Sequence, residues 1–140
     1  MKGYEQALIE EAIAAREFAY APYSNFMVGA ALLTKSGKIV RGCNVENAAY
    51  NPSTCAERTA FCNAISQGEM EFQAIAIVGA KRDEELDYTP PCGVCRQVFQ
   101  EFCSPDDFQI IVAKSPREYQ IYPLKDLLPQ GFGPGNLMKN

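Results

Sequence analysis

A chain of 140 residues is the ordinary size of one domain and can bury roughly two-thirds of its unfolded surface in a core of its own. The formal net charge is −4 and no block of Lys or Arg occurs, which argues against a nucleic-acid partner, since phosphate neutralisation supplies most of such affinity. No stretch approaches a membrane span, and Met1-Lys2-Gly3-Tyr4-Glu5 leads into an amphipathic pattern instead of the apolar run of a signal peptide, so a soluble, cytoplasmic protein with no membrane partner is expected.

Tyr4, Leu8, Ala12, Ala15 and Ala19 recur at helical spacing, with Ile9, Ile13 and Arg16 alongside, and Ala21-Pro22 stops this first predicted helix. Phe26 to Leu33 reads as a strand, Ser36-Gly37 as a tight turn, and Lys38 to Cys43 as the hairpin partner. Asn44 to Thr54, rich in Asn and holding Pro52, reads as a loop. A helix should open near Cys55 and run to about Gln67, with Gly68 as its cap and Ser53 and Thr54 as N-cap candidates. Gln73 to Ala80 has the pattern of a buried strand. Charged residues 81–87 and Pro90-Pro91 form the next loop, and a helix is predicted from Cys92 to near Cys103. Gln109 to Lys114 is another buried strand and Tyr119 to Tyr122 a fifth. A short helix begun by Pro123 and a Gly/Pro-rich tail follow. This order predicts one domain over 1–140, an α/β fold built as a three-layer α/β/α sandwich around a mixed five-stranded sheet. Antiparallel pairing is expected at one end of the sheet and parallel pairing at the other.

Cysteines stand at 43, 55, 62, 92, 95 and 103, and the chain has no histidine. An even count allows disulfides, but a reducing compartment favours metal ligands, catalytic groups or buried apolar packing. Any zinc site must therefore use thiolates and carboxylates, and any general acid or base must be a residue other than His.

Two segments carry the chemistry, Cys55-Ala56-Glu57 and Pro91-Cys92-Gly93-Val94-Cys95, each at the predicted start of a helix. Free N–H groups and the partial positive charge of a helix N-terminus stabilise thiolates. Two such ends meeting would set Cys55, Cys92 and Cys95 around one metal, with zinc–sulfur bonds of about 2.3 Å and a fourth position open. Cys62 does not fit as a fourth ligand. It lies two helical turns from Cys55, roughly 10 Å along the axis, whereas sulfurs sharing a zinc lie within about 4 Å of each other. Cys43 and Cys103 have no partner at such spacing and read as core packing. Glu57 stands in the first turn, where side chains tilt back toward the helix end and can converge with a ligand beyond it. Its simpler alternative is a solvated acid favoured by the helix dipole.

Zinc deaminases share a His-x-Glu segment followed by Pro-Cys-x-x-Cys, and here Cys55 stands where that pattern has His. Phe26-Met27-Val28-Gly29-Ala30-Ala31-Leu32-Leu33, Gly42-Cys43-Asn44-Val45-Glu46-Asn47-Ala48-Ala49-Tyr50, Cys55-Ala56-Glu57-Arg58-Thr59-Ala60 and Pro91-Cys92-Gly93-Val94-Cys95-Arg96-Gln97-Val98 resemble, in order and spacing, the motifs of the homotetrameric cytidine deaminases. The resemblance runs from Tyr20 to Phe132. It implies the family's three-layer fold, one Zn²⁺ per subunit on three cysteines, a small nucleoside substrate, and active sites completed by neighbouring subunits.

The resemblance also implies roles. Glu57 would shuttle protons between water, N3 of the pyrimidine and the leaving amine. Arg58 would donate to the thiolates, offsetting the net −1 that three of them leave on Zn²⁺. Asn44 and Glu46, alternating along an extended segment, would bind ribose hydroxyls. Phe26 would pack on the base, Ala56 would offer its backbone to the base edge, and Phe132 would reach a neighbouring subunit's site. A thiol–disulfide oxidoreductase built on Cys92 and Cys95, a structural zinc module, a nucleic-acid-editing deaminase, and a deaminase of a cytosine nucleoside analogue are the rival readings.

Overall fold

The computed structural model describes residues 3–138. Helix α1 (Glu5–Arg16) precedes a hairpin of β1 (Phe26–Thr34) and β2 (Ile39–Cys43). Helix α2 (Ala56–Ser66), β3 (Phe72–Lys81), α3 (Gly93–Phe102), β4 (Gln109–Ser115) and β5 (Glu118–Pro123) follow, then the short helices α4 (Leu124–Leu127) and α5 (Pro134–Leu137). The strands form one sheet in the order β2-β1-β3-β4-β5.

Side chains alternate across a strand with period 2, and here both sets are apolar, so both faces of the sheet must be covered. On one face Ala31, Leu33, Ala76 and Ile111 meet Leu8, Ile9 and Ala12 of α1. On the other, Leu32, Ile75, Ile77 and Ile110 meet Ala60 and Phe61 of α2 and Phe99 of α3. Phe61 anchors that layer, its ring centroid 4.8 Å from Phe72 and 5.4 Å from Phe99. The result is the expected three-layer α/β/α sandwich.

Two glycines set how closely the helices approach. A Cβ at Gly29 would come 2.0 Å from the carbonyl oxygen of Ala12 in α1, and one at Gly42 would come 2.4 Å from that of Ala56 in α2. Because Ala30 of β1 pairs with Gly42, the first turn of α2 rests directly on the hairpin backbone.

The sheet is antiparallel at both ends, which corrects the expectation of a parallel end. β1 pairs antiparallel with β2 and with β3, β3 pairs parallel with β4, and β5 returns antiparallel along β4. Only residues 116 and 117 separate β4 from β5, and so short a connection joins antiparallel neighbours, whereas parallel ones need a crossover. Helix α1 also stops at Arg16, short of Ala19. The Arg16 guanidinium reaches across to the carbonyls of Met27 (2.9 Å) and Ala80 (2.9 Å). Beyond it the chain tightens into i→i+3 bonds from Phe18 and Ala19. In the tail, α5 is a helical turn where only irregular chain was expected. Pro134 sits at its first position, where proline's missing N–H costs nothing.

Gly42→Ala should therefore lower unfolding free energy by about 1–3 kcal/mol, the usual cost of overpacking. Gly135→Ala, which meets nothing within 4 Å, should stay within about 0.5 kcal/mol of the parent. Urea titration of both checks this, and equal midpoints would contradict the close approach.

Candidate metal centre and its cleft

Helices α2 and α3, which cover the same face of the sheet, each begin just after a cysteine. Cys55 is the N-cap of α2 and Cys92 the N-cap of α3, each with extended backbone and no side-chain capping bond. Ser53 and Thr54, the expected caps, are used elsewhere. Ser53 Oγ accepts the N–H of Asn47 at 3.0 Å, and Thr54 Oγ1 donates to the carbonyl of Pro52 at 3.2 Å. Reciprocal backbone bonds between Val45 and Thr54, 2.9 and 2.8 Å, close the loop that delivers Cys55. The loop before Cys92 is braced by Arg96, whose Nε donates to the Pro91 carbonyl and whose Nη1 donates to that of Leu127, both at 2.8 Å.

These two helix starts bring three sulfurs together. Cys55 Sγ lies 3.7 Å from Cys92 Sγ, and Cys92 Sγ lies 3.5 Å from Cys95 Sγ. All three lie within 4.8 Å of one another. Thiolates at tetrahedral angles on a zinc ion with 2.3 Å bonds are about 3.8 Å apart, so the donor set fits that metal. Among the described residues no fourth Cys, Asp or Glu joins the cluster. Cys62 is exposed and outside the cluster, in line with its distance along the helix, while Cys43 and Cys103 are half-buried and all six cysteines are free thiols. Burial raises the Cys43 thiol above its ordinary value and pushes that of Cys103 up to about 12.

The charges around the cluster follow from the contacts. Without a metal, the Cys55 thiol is pushed down to about 5, first by a hydrogen bond from Cys95 and then by Arg58. Cys95 is raised in turn, chiefly because it gives that bond. Arg58 Nη2 lies 3.3 Å from Cys55 Sγ, so the guanidinium does face the thiolates. Glu57 is only 4% exposed, which removes the reading of a solvated first-turn acid. Burial pushes its carboxyl up to about 7, the range where a group can both take and give a proton at neutral pH.

A cavity of about 340 Å³ opens above this cluster, with Cys55, Cys92, Ala56, Glu57 and Arg58 at its base. Its wall includes Phe26, Asn44 and Glu46, so the structure brings together every expected site residue except Phe132, with Cys95 buried beneath. Phe132 does not line this cavity and is 58% exposed. Its carbonyl is held by Gln97 Nε2 of α3 at 2.7 Å. The Asn44 side chain is partly engaged, donating to the Phe26 carbonyl at 2.7 Å and accepting the Val28 N–H at 2.9 Å. Ser24, Thr89 and Pro90 also line the cavity and were not among the expected residues. The one available sequence signal was position, Ser24 two residues before Phe26 and Thr89-Pro90 just ahead of Pro91-Cys92.

The family model of the cytidine and deoxycytidylate deaminase zinc-binding region matches residues 3–111. A cytidine deaminase of Halalkalibacterium halodurans is 47% identical over 127 residues, covering 91% of this chain and 92% of the relative. A cytidine deaminase of Sporosarcina psychrophila is 54% identical over 99 residues, 71% of this chain and 70% of the relative. Among solved structures, the 1.6 Å crystal structure of cytidine deaminase from Burkholderia pseudomallei is similar with a TM-score of 0.82 at 47% identity, covering 94% of this chain and all of that one.

The thiol ordering has a direct chemical readout. In reduced, metal-stripped protein at about pH 6, iodoacetamide should modify Cys55 well before Cys103, since alkylation follows the thiolate fraction. That fraction is high above a value near 5 and negligible far below one near 12. Peptide mass mapping reads the order, and Cys103 labelled first would contradict it.

Proposed function

Because the chain belongs to the cytidine and deoxycytidylate deaminase zinc-binding family, we propose that it hydrolyses cytidine and 2′-deoxycytidine to uridine and 2′-deoxyuridine with release of ammonia. The observation that carries this reading is a cluster of three thiols, two of them lining one cleft together with a buried carboxyl and the third buried beneath it. The cavity is near the small end of the range of about 300–1,000 Å³ for ligand sites, which suits a single nucleoside. Within a thiol–disulfide oxidoreductase Cys55 and Glu57 would be idle. Within a structural zinc module a fourth ligand would be required.

Cys55, Cys92 and Cys95 hold one zinc ion per chain, and the metal supplies a Lewis acid that makes water nucleophilic at neutral pH. Arg58 donates to the ligand thiolates and offsets their negative charge. Phe26 packs on the pyrimidine, and the Ala56 backbone meets its edge. Asn44 has a second Nδ2 hydrogen for a ribose hydroxyl, and the Glu46 carboxylate accepts from the sugar.

Glu57 does the proton work. It takes the proton released as water attacks C4 and delivers it to N3, so that the C4=N3 double bond is lost and C4 becomes tetrahedral. It then relays the proton of the new C4 hydroxyl to the exocyclic amine, the bond from C4 to that amine breaks, and ammonia departs as the C4 carbonyl forms. One cytidine and one water are consumed for each uridine and ammonia. A carboxyl kept dry and near 7 supports both transfers.

The same reading assigns the protein to pyrimidine salvage in the cytoplasm, as a homotetramer of one-domain chains. All six cysteines are free, in keeping with a reducing compartment, and no helix among the described residues is long and apolar enough to cross a membrane. Phe132 then serves a neighbour's site, which its exposure on α3's flank permits.

Glu57→Gln should lose about 10²- to 10⁴-fold or more in kcat, the range for a general acid–base group, with zinc content unchanged. Co-refolding it with Phe132→Ala should regenerate activity above the sum of the separately refolded variants, because some sites then hold an intact residue from each chain. Near-parental activity of Glu57→Gln would remove it from the mechanism. Purely additive activity in a verified mixed oligomer would remove the sharing of sites.

A further inference from the structure

One wall of the cleft is organised around a single carboxylate. Glu46 Oε1 accepts the backbone N–H of Tyr23 at 2.9 Å and of Ser24 at 3.1 Å. Its Oε2 accepts the Ser24 hydroxyl. Ser24 Oγ accepts the backbone N–H of Phe26 at 3.0 Å. A continuous path therefore runs from the Phe26 amide through the Ser24 hydroxyl to Glu46. From Phe26 it continues to Asn44, which takes the Phe26 carbonyl and the Val28 amide. Ser24, Phe26, Asn44 and Glu46 all line the cavity.

A serine hydroxyl has one hydrogen to donate and two lone pairs. At Ser24 the hydrogen goes to Glu46 and one lone pair to Phe26, so both functions of the group are used to join two parts of the wall. A carboxylate offers about four acceptor positions, and three of those on Glu46 are taken by Tyr23 and Ser24. This leaves room for about one further hydroxyl, and its direction is set by the bonds already made. The Glu46 carboxyl is held below its ordinary range chiefly by the Ser24 hydroxyl, with the Ser24 and Tyr23 amides adding to it. The group thus stays an ionised acceptor.

We propose that Ser24 is a positioning residue for the sugar of the nucleoside, fixing the Glu46 carboxylate and the Phe26 backbone in one frame so that base and ribose are read together. This rests on the reading that Glu46 meets the sugar and Phe26 the base. Alanine at 24 removes the bond on Oε2, leaving the carboxylate held only through Oε1 by the two amides, and unpins the Phe26 amide at the start of β1. Threonine keeps the hydroxyl, and cysteine keeps the volume while donating poorly. The effect belongs in substrate binding and not in the proton transfers of Glu57, which sits on a different element.

Steady-state kinetics on cytidine and on 2′,3′-dideoxycytidine, which lacks both secondary sugar hydroxyls, separate the possibilities. Ser24→Ala should raise KM for cytidine roughly tenfold, in keeping with a hydrogen bond to a charged group, while kcat stays within about twofold. On the dideoxynucleoside the penalty should shrink to the smaller part that comes through Phe26, and Ser24→Thr should restore cytidine KM. Should alanine lower the melting temperature enough to obscure kinetics, Ser24→Cys should reproduce the KM effect at parental stability. An unchanged cytidine KM, or a penalty equal on both substrates, overturns the proposal. Glu46→Gln distinguishes that failure from one upstream. If it leaves cytidine KM untouched, the sugar reading of Glu46 itself is wrong, and if it raises KM while Ser24→Ala does not, the role of Ser24 alone is wrong.

Discussion

Two helix N-termini aimed at one point are the constraint on which the remaining structure depends. Unpaired N–H groups and the macrodipole give each end a partial positive charge, and two such ends side by side repel unless negative charge sits between them. Cys55 and Cys92 occupy both N-cap positions, and Cys95 lies one turn further on. Neither side chain makes a capping hydrogen bond, so a thiolate there would compensate the helix end through its charge alone. The same charge makes the cluster a receptor for a metal cation with a ligand set of net −3. The fold has to hold α2 and α3 in that alignment. It does so through the bare backbone at Gly42 beneath α2, the parallel β3–β4 pair that spaces α3, and the Arg96 brace behind Cys92.

The buried carboxyl follows from the same arrangement. Glu57 stands two residues into α2, so the helix end that delivers a ligand also carries the acid to the base of the cleft, nearly out of water. Burial raises its proton affinity, while the nearby Arg58 charge moderates it. Glu46, which lines the same cavity, shows the contrasting case. Hydrogen bonds from Ser24 and two backbone amides hold its carboxyl down. Two glutamates in one cavity are thereby driven apart, one toward proton exchange and one toward permanent acceptance, by environment alone.

Much of this was legible from local pattern. Continuous apolar runs at Phe26–Leu33, Gln73–Ala80 and Gln109–Lys114 told of strands buried on both faces. Cys55-Ala56-Glu57 and Pro91-Cys92-Gly93-Val94-Cys95 could be placed at helix starts, and Cys62 could be excluded by pitch alone. What escaped depended on tertiary context. The antiparallel return of β5 turns on a connection whose length shows only when strand ends are known to the residue. Capping by Cys55 in place of Ser53 or Thr54 reflects loop bonds that consume both hydroxyls. Arg16 ends α1 because carbonyls of two distant strands reach its guanidinium. Ser24 resembles any loop serine until Glu46 is seen folded against it.

The proposed function requires a metal held by Cys55, Cys92 and Cys95 with a fourth position left for water. Zinc K-edge X-ray absorption on the purified protein measures this directly. Three sulfurs at about 2.3 Å and one light oxygen or nitrogen near 2.0 Å, at about one zinc per chain, is the result predicted. Four sulfurs around the metal, or protein that retains no zinc, would contradict it.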